Sequence, residues 1–571
     1  MKKDVANLNK VFSDYPVLCA VVGALAWFIF SAFEMFGSAN EFYYIDTDCY
    51  ARYLRITDWL SGDFSWFEKI FPFTNCPHGE VLHFTRINDV IWLIFSLPFF
   101  AFLPLKSAIF AGGLIFSPIL FAITLALVMS GLKKYIGFKD FAKPALFIFV
   151  FSFIFLLKSM VFEFGRPDHH SLMILLTAFL SITLLNPSNK KMLLCGVAGA
   201  FGIWASSAFE GMLLSYAFLA VLCIGIVFYK QNFEWAYRYT FGLFFGVLIA
   251  YLANPPFEGY FYFDNARLSL IHVVVCVLTF AVFALCRYFN PRKTAQKIVA
   301  ILSGALISFA VLVSVFGFEV VFTPVYDEKV SRYFVAYISE MKPVLPQEIW
   351  YFVLGSVECL FLCRHFKRFK FEDVAIYALF FIYLPFALML RRFMPYGILF
   401  FVLINSLFLS ELFKYFARGE KYKWSAIMCI AFNVAIAVSF DYAVVPAKAS
   451  YPRLEGCALT DLFFAPQLIY KTGVTTVGSP YHRNVDGIVD NVEIFSSTDE
   501  KEILQKLSER NVKYIIIPNE NIIGKRLYLK DIPNKSLYRS LQDGKQYDWL
   551  KLLNSSDESY LFYEIKNSDN M

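Results

Sequence analysis

Four short stretches of this chain carry side chains able to hold a cation or a phosphate. The first, YYIDTDCYARYLRITDWL, sets Asp46 and Asp48 one residue apart. A D-x-D pair offers hard oxygen ligands that suit a divalent ion and, through it, neutralise a phosphate. The second, EFGRPDHHSL, places Arg166, Asp168, His169 and His170 together, a mixed oxygen and nitrogen donor set that suits a Mn2+-like or Zn2+-like ion as well as Mg2+. Asp168 is also placed to cap a following helix. The third, VYDEKVSRYFVAYISEMKP, contains Asp327, Glu328 and Glu340, and the fourth, RRFMPY, opens on Arg391 and Arg392. Guanidinium groups take phosphate oxygens in a bidentate fork, so these two arginines are natural holders of a diphosphate or of lipid phosphate. Further on, VGSPYHRNVDG puts Tyr481, His482 and Arg483 after a Gly and Pro turn signal. These read as acceptor or headgroup contacts, or as a turn with a capped histidine. Glu34 and Glu210, near the ends of apolar runs, either line the same cavity or snorkel.

The elements that must position these groups are apolar. Hydrophobic residues make up 58% of the 571 and charged residues only 17%, with 67 Phe and 33 Tyr. With a mean hydropathy of +0.55, these values exclude an ordinary soluble chain. A spanning helix needs about 20 apolar residues. Qualifying runs lie at 17–35, 108–130, 144–161, 171–185, 192–209, 211–228, 235–253, 269–286, 298–316, 349–363, 374–390, 395–413 and 424–440, about thirteen spans. The first run is too long for a cleaved signal and reads as a retained anchor. The run at 90–103 is short and reads as a helix in or on the outer leaflet.

The net charge of +6 comes from Lys and Arg clustered between these runs, which argues for topology and against a nucleic-acid partner. Lys2, Lys3 and Lys10 and the basic loops at 133–143, 190–191, 230–238, 287–297, 364–370 and 414–423 place the N-terminus in the cytoplasm. An odd number of spans then leaves 441–571 outside. The expectation is a polytopic α-helical protein of the inner (cytoplasmic) membrane. Residues 1–440 form its membrane region, with outside loops at 37–89 and 317–347. Residues 441–571 form a small extracytoplasmic α/β domain, with a buried strand at 512–518, a helix at 502–510 and a strand candidate in YLFYEI. All four motifs then share one face, which holds only if 90–103 does not span. The 11 cysteines show no disulfide framework, and Cys49 and Cys76, though in one loop, read as free thiols.

Taken together, IDTDCY, GRPDHH, YISEMKP and RRFMPY, in this order, resemble the catalytic subunit of oligosaccharyltransferases in the GT-C class of polyprenol-dependent glycosyltransferases. The Asp-His-His form resembles that of archaeal members. The resemblance implies a GT-C-like fold of thirteen spans with an outside C-terminal domain. It implies that Asp48, Asp168 and His170 are metal ligands, with Asp46 as an alternative to Asp48. Glu340 contacts the metal or acceptor, Arg391 or Arg392 contacts the diphosphate, and Asp48 and Glu340 are the catalytic carboxylates. The implied reaction is inverting transfer of a sugar or oligosaccharide from a polyprenyl-phosphate or polyprenyl-diphosphate donor, with Mn2+ or Mg2+ as cofactor. The Asp48-x-x-x-Arg52 spacing, the Asp-His-His motif and PYHRN are also similar to a set of bacterial GT-C-like membrane proteins, and Arg52 joins Tyr481, His482 and Arg483 as a candidate acceptor or headgroup contact. The Trp-Trp-Asp-Tyr-Gly signature of the family, which reads the sequon hydroxyl, has no counterpart here; Asp548 and Trp549 do not reproduce it. The acceptor is therefore open among a glycan, a lipid and a protein.

The rival reading is a transporter or flippase for a lipid-linked saccharide. It calls for interrupted spans, midplane charges and pseudo-symmetric halves, none of which the sequence displays. A structural membrane protein without chemistry leaves the acidic motifs and Arg391 unexplained. No Gly-rich nucleotide fingerprint occurs, which agrees with a lipid-carried donor.

Overall fold

A computed structural model describes residues 16–39, 41–63, 65–67, 70–82, 84–136, 161–206, 209–322, 326–346, 348–365, 370–416, 451–520, 527–553 and 559–566. After α1 (Pro16–Ala39) the chain forms α2 (Thr47–Ser61), the ribbon β1 (Ile70–Phe71) and β2 (Glu80–Val81), and α3 (Ile87–Ser96). Long helices follow: α4 (Leu105–Ile136), α5 (His169–Leu184), α6 (Asn189–Ala205), α7 (Glu210–Phe228), α8 (Phe233–Ala253), α9 (Leu270–Phe289) and α10 (Thr294–Phe316). After a loop come α11 (Ile349–His365), α12 (Phe371–Met389) and α13 (Met394–Phe416).

Among the described residues six helices are long and apolar enough to cross a bilayer: Leu105–Tyr135, Glu210–Phe228, Phe233–Ala253, Leu270–Phe289, Thr294–Phe316 and Phe371–Met389. The chain is a multi-pass membrane protein. Each expected span that falls on described residues is helical; the run at 424–440 and all but the last residue of 144–161 lie outside them. The run at 90–103 falls on α3, ten residues long, and a 3-10 turn at Leu97–Ala101. Together they are too short for about 30 Å of hydrocarbon.

Backbone proximity inside the bundle is set by small residues. α6 and α8 cross where Gly196 and Ala200 meet Gly242 and Gly246, and a Cβ on Gly196 would collide with the Tyr239 carbonyl oxygen. Pairs of small residues four apart on both partners are what lets helices pack closely where lipid supplies no hydrophobic drive.

The C-terminal domain is a five-stranded sheet in the order β4-β3-β5-β7-β6, where β3 is Cys457–Thr460, β4 Thr475–Thr476, β5 Val512–Pro518, β6 Leu550–Leu553 and β7 Tyr560–Ile565. β5 is parallel to β3 and antiparallel to β7. Its apolar run, the expected buried strand, lies at the sheet centre, and the helix Glu500–Glu509 that packs against it covers most of the expected 502–510.

The first loop is joined to this sheet. The Thr476 N–H donates to the Phe73 carbonyl at 2.8 Å and the Cys76 N–H to the Thr476 carbonyl at 3.0 Å, so residues 73–76 continue the sheet beyond β4. Arg510 adds a hydrogen bond to the Asn75 side chain at 2.8 Å. A disulfide links Cys76 to Cys457, which corrects the reading of free thiols for Cys76; Cys49 is free and buried. The pairing escaped the sequence because 381 residues separate the partners.

Candidate active site

The site is assembled where loops cross at one end of the bundle. Gly165, at φ +79°, begins the second motif in a conformation that favours glycine, and a Cβ there would approach the Tyr43 carbonyl oxygen at 2.7 Å. Its carbonyl accepts from the Ile45 N–H at 3.0 Å and its N–H donates to the Leu114 carbonyl at 3.1 Å. Ser117 Oγ donates to the Arg166 carbonyl. These bonds hold the Asp-His-His segment against the D-x-D segment.

Both acidic motifs begin helices. Asp46 caps α2, accepting from the Asp48 N–H at 3.2 Å, and Asp168 caps α5, accepting from the His169 N–H at 2.6 Å. Capping uses one oxygen of each carboxylate. Asp46 Oδ2 faces Arg166 Nη2 at 3.2 Å, and Arg166 Nη2 also lies 3.6 Å from Glu340 Oε1. Asp168 Oδ2 lies 3.6 Å from His170 Nε2, which is 3.9 Å from Glu340 Oε2. His169 Nδ1 takes the other Asp168 oxygen at 2.6 Å. Ligand atoms of Asp168, His169 and His170 all lie within 4.8 Å of one another, and all three residues are buried. Burial, reinforced by Asp46 and Asp168, raises the Asp48 carboxyl well above its ordinary value. Carboxyls so placed are poorly disposed to share a dry site as anions without a cation. The donor set, hard oxygens and an imidazole nitrogen, fits a divalent ion.

Glu210, at the start of α7, closes the far side. Its oxygens lie 3.6 Å from His169 Nε2 and 3.6 Å from His170 Nδ1, and Arg392 Nε sits 2.5 Å from Oε1. Of the two readings for Glu210, the structure excludes snorkelling: the side chain is buried against His169, His170 and Arg392. Arg392 also approaches His169 Nε2 at 3.3 Å. Arg391 turns away: it pairs with the buried Glu348 at 2.6 Å. Glu348 as its partner was not legible from the sequence, because nothing local marks a contact between residues 43 apart.

The C-terminal motif packs over the first loop. Tyr481 is buried against Phe84, with ring centroids 5.3 Å apart, and its hydroxyl reaches the Thr47 carbonyl at 3.5 Å. His482 meets the Tyr326 ring edge-on at 4.9 Å. Burial, with Arg483 and Arg392 nearby, lowers its pKa to about 3, so the ring is neutral at pH 7. Arg483 binds Asp264 at 2.6 Å instead of pointing into the cluster. Arg52 is 1% exposed with its guanidinium 4.1 Å above the Phe84 ring. Asp46, Asp48, Asp168, His170, Glu340 and Arg392 thus gather at one site, Tyr481 and His482 pack beside it, and Arg391 and Arg483 pair elsewhere. Asp327 caps the helical turn Glu328–Tyr333.

No protein-family model and no curated protein matches the sequence. Among solved structures, the apo oligosaccharyltransferase of Archaeoglobus fulgidus aligns over 96% of this chain and 80% of its own, with a TM-score of 0.68 at 15% identity. The same organism's oligosaccharyltransferase AglB in complex with an inhibitory peptide and a dolichol-phosphate aligns over 95% and 79%, with a TM-score of 0.65 at 14% identity. A third structure, of the A. fulgidus enzyme with Zn and sulfate, aligns over 96% and 73%, with a TM-score of 0.63 at 14% identity. The chain has the fold of an archaeal oligosaccharyltransferase, in both its helical bundle and its C-terminal sheet domain.

Proposed function

We propose that this chain is a metal-dependent inverting glycosyltransferase that moves a sugar or oligosaccharide from a polyprenyl-(di)phosphate carrier to an acceptor on the extracytoplasmic face. The observation that carries this reading is the convergence of Asp168 Oδ2, His170 Nε2 and Glu340 Oε2, from segments about 170 residues apart in sequence, with Arg392 close behind. The shared fold and the dolichol-phosphate bound by the archaeal neighbour support a lipid-linked donor. The Cys76–Cys457 disulfide supports an oxidising, extracytoplasmic setting for the first loop and the C-terminal domain.

Asp48, Asp168 and His170 would hold the divalent ion, either Mn2+ or Mg2+, which supplies electrostatic stabilisation to the departing phosphate. Asp46 is engaged by Arg166 and by its helix cap, so it serves to position the loop. Arg392, fixed by Glu210, presents its remaining N–H groups to the phosphate oxygens. Glu340, its side chain 39% exposed, stands at the rim, where a carboxylate can orient the acceptor and accept its proton. The acceptor atom attacks the anomeric carbon from the side opposite the phosphate. The carbon–oxygen bond breaks with its electron pair staying on the phosphate, and the configuration inverts.

Mass spectrometry of glycans, glycolipids and glycoproteins from cells with and without this chain tests the proposal. A saccharide that disappears from one acceptor class with the chain, and returns with the wild type but not with Asp168→Ala, is the expected result. Identical profiles, or saccharide accumulation in vesicles without a new glycosidic bond, would overturn it.

A further inference from the structure

The helix α2 carries a polar stripe that leaves the acidic cluster and ends in a separate cleft. Asp48, Arg52, Arg55 and Asp58 follow one another at intervals of four, three and three residues, which places them on one face. At about 1.5 Å per residue, Asp58 lies roughly 15 Å along the helix from Asp48. Two members of the stripe have no use in the transfer chemistry. Arg52 is 1% exposed, and among the described residues its Nε and Nη1 have no hydrogen-bond partner; neither has the buried Oδ2 of Asp58.

The cleft at the end of the stripe is partly open to solvent, has a volume of about 50 Å3 and is lined by Arg55, Asp58, Phe84, Arg86, Phe257 and Arg267, among others. Its walls are fixed beforehand. Arg55 pairs with the buried Asp89 at 2.5 Å, and Arg86 reaches the same carboxylate at 3.3 Å. Arg267 binds both oxygens of Glu258 at 2.7 and 2.9 Å. The Arg86 N–H donates to Asn254 Oδ1 at 2.8 Å, which joins the first loop to the end of α8.

Because carboxylates hold these guanidinium groups, the cleft presents N–H donors and a carboxylate acceptor with little net charge, beside aromatic rings. A strongly anionic ligand would face Asp58, and an acyl chain would leave the arginines unsolvated. A saccharide satisfies both kinds of surface: its hydroxyls donate and accept, and its C–H faces lie on rings.

We propose that this cleft is a saccharide-binding subsite, taking sugars that lie beyond the transferred bond on the donor's or the acceptor's glycan. The assignment rests on the transferase reading. The test uses the full chain in detergent and, as probe, the oligosaccharide released by mild acid from the cell's polyprenyl-linked pool, titrated by calorimetry. Wild type and Asp168→Ala should bind it alike, whereas Asp58→Ala and Phe257→Ala, at unchanged thermal midpoint, should bind it about tenfold more weakly. No saturable binding by the wild type, or binding by both cleft variants within about twofold of it, overturns the subsite.

Kinetics separate the two sources. If the donor's glycan sits in the cleft, Asp58→Ala raises KM for a full oligosaccharide donor far more than for a single-sugar donor. If the acceptor's glycan does, KM for the acceptor rises instead, and no change in either constant overturns the subsite. Tight, cleft-dependent binding with no transfer by the wild type defeats the transferase reading alone. Transfer that proceeds normally while Asp58→Ala leaves binding untouched defeats the subsite alone.

Discussion

Arg392 is bound to Glu210, Nε to Oε1 at 2.5 Å, while the adjacent Arg391 is bound to Glu348 at 2.6 Å on the other side of the same turn. Two neighbouring arginines therefore have different work. Arg392→Ala is expected to lower kcat/KM for the lipid-linked donor about 100-fold, and Arg392→Lys to recover little of it, because an ammonium lacks the planar fork. Arg391→Ala should leave the donor KM near the wild-type value and lower stability by about 1 to 3 kcal/mol by stranding Glu348. Donor kinetics and thermal unfolding of both variants check this, and equal losses of kcat/KM would refute the distinction.

The proposed site predicts a shared phenotype. Asp48→Ala, Asp168→Ala and Glu340→Ala should each reduce transfer by about 100-fold or more at undiminished folded yield. Undiminished transfer in all three would end the assignment of the site.

Metal removal gives a readout that does not depend on turnover. A ligand that binds only the folded chain stabilises it by about 2.7 kcal/mol at 100 times its Kd. Chelation should lower the thermal midpoint of the wild type, and Mn2+ or Mg2+ should restore it. Asp168→Ala should respond to neither treatment.

Glu80 gives the contact between the first loop and the C-terminal domain a pH dependence. Burial raises its carboxyl to about 8 from an ordinary value of 4.5, partly offset by the hydrogen bond from Ser479 Oγ at 2.9 Å. The folded chain therefore holds a proton that the unfolded chain releases. The stabilisation is complete below about pH 4.5 and is lost as pH rises through about 8. Between pH 6 and 9 the thermal midpoint should fall in the wild type and fall less in Glu80→Gln; parallel curves would exclude Glu80 as the origin.

Loss of the Cys76–Cys457 bridge in Cys457→Ser should cost about 2 to 4 kcal/mol. A thermal midpoint unchanged from the wild type would show that the bridge adds nothing to the strand pairing beside it.

Features with a local cause were open to the sequence. The apolar length of each span on described residues, the buried run of β5 and the capping position of Asp168 all depend on neighbouring residues, and the structure has them there. Features set by distant chain were not. Arg391 and Arg392 begin a 3-10 turn, in which successive side chains point about a third of a turn apart; only the tertiary placement of Glu348 and Glu210 decides which one enters the site. Cys76 found its partner in the C-terminal domain, and Asp264 took Arg483, for the same reason.

The continuation of the sheet by residues 73–76 also bears on solubility. Unpaired backbone groups on an edge strand are a template for pairing with other chains. In the full protein the first loop occupies the β4 edge. An excised C-terminal domain would present Thr475 and Thr476 bare, so its tendency to self-associate would reflect the missing loop, and a peptide covering that loop would act as its edge cap.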